Sequence, residues 1–156
     1  MLQRIQSAYL FIVFIFSVLF GVLPLAYFPA DAPGIPLRLL QYRVFMDAFA
    51  QMEGGWQGAM LIILFAAAML LTVYTTFQYR KRLHQISMGK LNILLHVALI
   101  MLSFFFIDSL RGQMVAGEFS YGPAVFFPVI SLIFILLANK AIRKDENLVR
   151  AADRQR

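Results

Sequence analysis

The side chains able to do chemistry are few and widely spaced. His84 and His96 are the only two histidines, and the chain has no cysteine, which excludes disulfides, thiolate catalysis and cysteine-ligated metal sites. A bis-histidine haem site needs ligands on facing helices, and His96 has no such partner within the chain. A hydrogen bond to a neighbour such as Asn92 is the expected role for it. Asp108 and Arg111 stand three residues apart, a spacing that suits a local ion pair. A proton relay would instead need carboxylates at mid-membrane depth. Ser17, Thr72, Thr75, Thr76, Ser103 and Ser131 are isolated hydroxyls that can bond backbone carbonyls of their own helices. None has an activating base at a readable spacing. No phosphate loop, HExxH motif, carboxylate cluster or broken-helix repeat occurs. The expectation is a non-catalytic protein without metal or cofactor.

Composition names the solvent. Of 156 residues, 61% are hydrophobic and 14% charged, against roughly 45–50% and 25% in ordinary soluble domains. A soluble domain this small leaves much of its surface wet and could not hide so much hydrocarbon. The net charge of +6 does not point to nucleic acid, because the cations flank apolar runs and leave no basic face.

Charge-free gaps locate the elements. No Asp, Glu, Lys or Arg occurs between Arg4 and Asp31, Glu53 and Arg80, Lys90 and Asp108, or Glu118 and Lys140. A helix needs roughly 20 residues to cross a hydrocarbon core about 30 Å thick. Spans are therefore expected near 7–28, 57–78, 91–107 and 122–142, the third at the lower limit of length. Residues 1–156 make one domain: an all-α, four-transmembrane-helix bundle. The first span resembles a signal peptide in Arg4 and the Ala30-Asp31-Ala32 pattern. Its length and Pro33 beyond the site predict a retained helix. Pro24 and Pro128 fall inside the first and fourth predicted helices and predict kinks. Gly58, Ala59, Ala66, Ala67 and Ala68 give the second helix small side chains for close approach.

Orientation follows from Lys and Arg in short loops. With the N-terminus inside, eleven of the fourteen basic residues are cytoplasmic, and only Arg38, Arg43 and Arg111 lie outside. Both termini are expected in the cytoplasm.

Three segments remain. The external stretch 29–56 opens with a proline- and glycine-rich turn. Leu37, Leu40, Val44, Phe45, Ala48, Phe49 and Met52 then fall on one face of a short amphipathic helix. Leu37/Leu39 and Tyr42/Val44/Met46 also alternate, so a strand pair is the alternative. The cytoplasmic loop 79–90 carries Arg80, Lys81, Arg82 and Lys90 without an acid, a set suited to anionic lipid headgroups. The tail 143–156 mixes Asp145, Glu146 and Asp153 with Arg150, Arg154 and Arg156 on a helix-forming frame. Lipid attraction and topology gain nothing from acids. Mixed signs suit a protein surface, which makes Asp145, Glu146, Arg150, Asp153 and Arg154 candidates for partner docking.

The ends of the chain, Met1-Leu-Gln-Arg-Ile-Gln-Ser-Ala-Tyr-Leu10 and Leu137-Ala-Asn-Lys-Ala-Ile-Arg-Lys-Asp-Glu-Asn-Leu-Val-Arg-Ala-Ala-Asp-Arg-Gln-Arg156, resemble those of the DUF4293 family, as does Lys90-Leu-Asn92. These are small four-helix membrane proteins of Bacteroidota and relatives. The likeness runs end to end and departs at Gln155, where the family pattern has leucine. It implies an inner-membrane address and no assigned activity. The expected partners are the bilayer and either another membrane protein or a second copy. An accessory or scaffold subunit is the leading expectation, and a small homo-oligomeric transporter or channel the alternative. Four helices without buried polar groups would make a poor pore.

Overall fold

The computed structural model describes residues 2–28, 35–48, 55–78, 82–113 and 119–153. Its long helices are α1 (Leu2–Val22), α3 (Gly55–Phe77), α4 (Arg82–Arg111) and α5 (Phe127–Asp153). All four are long and apolar enough to cross a membrane. Each packs on two others, α1 and α4 on α5, and α1 and α4 on α3. Aromatic contacts fix the register of the antiparallel pairs. Phe16 stacks on Phe127 with ring centroids 5.6 Å apart, and Tyr9 meets Phe134 at 6.0 Å. Phe20 meets Phe65 at 5.8 Å.

The helix α1 stops at Val22, short of the predicted 28. Proline has no N–H and disfavours helical backbone in the residue before it, so Pro24 ends the helix through Leu23. The chain continues as strand β1 (Pro24–Phe28), not as a kinked helix. The strand β1 pairs antiparallel with β2 (Ile35–Arg38) on one side and β3 (Ser120–Tyr121) on the other. This sheet ties together the α1–α3 and α4–α5 connections at one end of the helices. Counted from the Phe20–Phe65 contact, Val22 is level with about Ile63, so α1 stops about two turns short of the level of Trp56. Leu25, Ala26 and Phe28 are buried, and neighbouring strands satisfy the backbone, so extended chain is tolerated there.

The segment expected to form an amphipathic helix is instead composite. Strand β2 leads into a 3-10 turn (Leu39–Gln41) and the short helix α2 (Tyr42–Ala48). Leu37 is buried between half-buried Pro36 and Arg38, which is strand alternation, while buried Leu39 and exposed Leu40 belong to the 3-10 turn. The strand partner is β1, not the residues after Tyr42. Phe49 and Met52 lie outside the described residues.

The other predicted proline kink is also absent. Pro128 sits in the first turn of α5, directly after the 3-10 turn Pro123–Phe126, where a missing N–H has least consequence. The third span is longer than its charge-free gap, because α4 begins at Arg82 and ends at Arg111. Lys90 therefore lies on a helix, not in a loop. Of the small residues of α3, Gly58 and Ala68 are buried, but Ala66 and Ala67 face outward.

Candidate functional site

A buried seam of α4 follows a four–three spacing, Gln85, Gly89, Asn92, His96, Leu99, Ser103, Phe106 and Leu110, with Ile107 buried beside it. This is the knob pattern of helices packed in a coiled-coil manner, yet polar residues hold four of the eight positions. Other helices add to it. Gln6 and Ser17 of α1, Thr72 and Thr75 of α3, and Ser131 and Asn139 of α5 are buried as well. The expectation of an interior without buried polar groups was wrong. Hydropathy averages over all sides of a helix, so the polarity of one buried stripe disappears into it. The four–three spacing along α4 was the readable signal.

Hydrogen bonds connect much of the seam. Asn92 Nδ2 donates to Thr72 Oγ1 at 2.8 Å, and Thr72 donates in turn to the Ala68 carbonyl at 2.9 Å. Gln85 Nε2 donates to the Thr75 carbonyl at 3.0 Å. His96 Nδ1 lies 2.9 Å from the Asn92 carbonyl. The predicted neighbour is therefore right, and the bond runs to its backbone. Ser17, Thr72, Thr75, Thr76 and Ser103 bond the carbonyl four residues earlier. Gly89 lets α4 and α5 close up at the Asn139 amide, which occupies the space a Cβ would take. Three buried polar atoms in this half have no protein partner: Gln6 Nε2, Gln85 Oε1 and Asn92 Oδ1.

At the sheet end, Gln57 Nε2 donates to Ser109 Oγ at 3.3 Å. Arg111 does not pair with Asp108. Its guanidinium lies over the Phe119 ring, 5.0 Å from the centroid, a cation–π contact.

The two charged segments are placed unequally. Arg80, Lys81 and Arg154 lie outside the described residues. Arg82 opens α4, and Lys90 is exposed on it. Asp145 and Glu146 are half-buried on α5, and that helix carries Arg150 and Asp153 without interruption. Arg82 lies seven residues before Gly89, about level with Glu146 by helical rise. The α5 turns beyond Glu146 thus project past the first residue of α4. Leu148 and Val149 are exposed there.

Neither the curated proteins nor the solved structures provide a match. The family model described as "Domain of unknown function (DUF4293)" matches residues 2–155. With nearly its whole length covered, the chain belongs to the DUF4293 family.

Proposed function

We propose that this protein is a non-catalytic accessory or scaffold subunit of a larger complex in the inner membrane, built as a four-helix transmembrane bundle with both termini in the cytoplasm. The observation that carries this reading is the projecting end of α5. A helix that only spans needs about 20 residues, and α5 has 27. Its last turns combine interleaved charges with exposed Leu148 and Val149. An apolar pair rimmed by both signs suits a protein surface, where charge sets partner and register. With the termini in the cytoplasm, Arg80, Lys81, Arg82 and Lys90 would serve as contacts to anionic lipid headgroups, at about 1 kcal/mol each.

Membrane placement is supported by dimensions. The 22 residues from Trp56 to Phe77 rise roughly 32 Å, close to a core of about 30 Å. Trp56 stands exposed at one end, as interfacial tryptophans do.

The polar seam favours a second reading, a small homo-oligomeric transporter or channel. Purification in mild detergent separates the two. A stoichiometric foreign protein supports the accessory role, and a lone homo-oligomer supports the pore. Removing residues 147–156 should leave membrane yield unchanged and release the partner. Retention of the same partners by the shortened chain would overturn the assignment to the tail.

A further inference from the structure

Among the four long helices lies a small cavity of about 10 Å³, bordered by Ser17 of α1, His96 of α4 and Ser131 of α5 together with apolar side chains such as Phe20, Phe65 and Leu99. All three polar residues are more than nine-tenths buried. Their hydrogen-bonding capacity is sharply defined. The Ser17 hydroxyl gives its proton to the Val13 carbonyl at 2.9 Å and keeps its lone pairs. A carbonyl can only accept, so His96 Nδ1 carries the proton directed at Asn92, and in the neutral ring Nε2 is an acceptor. Ser131 supplies a hydroxyl able to donate.

We propose that this cavity is a binding site for one water molecule. The water would donate to Ser17 Oγ and His96 Nε2 and accept from the Ser131 hydroxyl. That makes three hydrogen bonds, the usual number for a buried water, in a space that admits about one water-sized sphere. Among the described residues no charged side chain borders the cavity, which argues against an ion: a buried charge needs a counter-charge or a full set of ligands. The lining residues come from different helices, so a single water cross-links three elements whose side chains are too short to meet. It also gives the ring nitrogen of His96 that does not face Asn92 a hydrogen-bond partner among the surrounding phenylalanines.

The chain has only two histidines, and His84 is exposed. Histidine-selective 15N labelling of the full chain in lipid bilayers therefore gives one test signal and one built-in control. Water-edited solid-state NMR should show transfer from water to both rings, with His96 in the Nδ1-protonated, Nε2-acceptor tautomer. Ser131→Ala, and independently Ser17→Ala, should keep helicity and thermal transition while reducing transfer to His96 several-fold and sparing His84. An Nε2-protonated His96 would overturn the proposal, as would His96 without transfer beside a responsive His84. Undiminished transfer in the two folded variants would overturn it equally.

Discussion

Single side chains decide where the elements can touch. Gly122 donates its N–H to the Leu25 carbonyl at 2.8 Å, and a Cβ there would run into the Pro24 carbonyl. Backbone cannot swing aside as a side chain can. Gly122→Ala should therefore destabilise the protein by about 1–3 kcal/mol, read as a lowered unfolding midpoint in detergent. Gly112→Ala is the control. Its nearest neighbours would be 3.5 and 3.8 Å away, ordinary contact, and the change should stay within about 0.5 kcal/mol. The Asn92–Thr72 bond links α3 to α4 inside the helices. A double-mutant cycle with Asn92→Ala and Thr72→Ala should give a coupling of about 0.6 kcal/mol, up to about 1.7, the range for interhelical hydrogen bonds in membranes. Zero coupling would mean that the amide points elsewhere in solution.

Among the elements, α5 carries the most distinct division of labour. Its first turns pack against α1 and α4, and its last turns project. Proline within a helix removes one hydrogen bond and clashes with the preceding turn, at about 3 kcal/mol. Asn147→Pro should break only the projecting part. The variant should accumulate in membranes normally and show slightly reduced helicity by circular dichroism. It should lose the partner that the full-length chain retains. If it fails to accumulate, those turns stabilise the fold and are not a docking element.

The alternation of four long helices puts both sheet-forming connections at one end and the tail at the other. Under the proposed orientation the sheet end is external. Reporter fusions after residue 50 should then read as external, and fusions after residue 85 or at the C-terminus as internal. An external C-terminal reporter would reverse the orientation. The sheet also gives this end its own means of cohesion. The connections are held by paired backbone, with Phe28, Phe119 and Tyr121 in edge-to-face contact across it, and do not rely on one long helix for support.

Hydropathy and charge, read from residues alone, were enough to identify four long apolar helices. Each depends on local composition, as does the continuation of α5 into the tail. Strand β2 was anticipated as an alternative by the Leu37/Leu39 alternation, but β1 escaped because Leu23 to Phe28 reads as a continuation of the apolar helix before it, and hydropathy does not distinguish a buried strand from a buried helix. Pro24 marked the break, but a proline inside an apolar run reads equally as a kink or an end. Only pairing with β2, a few residues further on, and with β3, from a distant part of the chain, made the extended backbone favourable. The polar interior follows the same logic. Gln85, Asn92 and His96 were visible as residues, whereas their burial together depended on which side of α4 meets α3 and α5. Burial is a property of the packed arrangement, and it turned scattered amides and one imidazole into a connected polar seam.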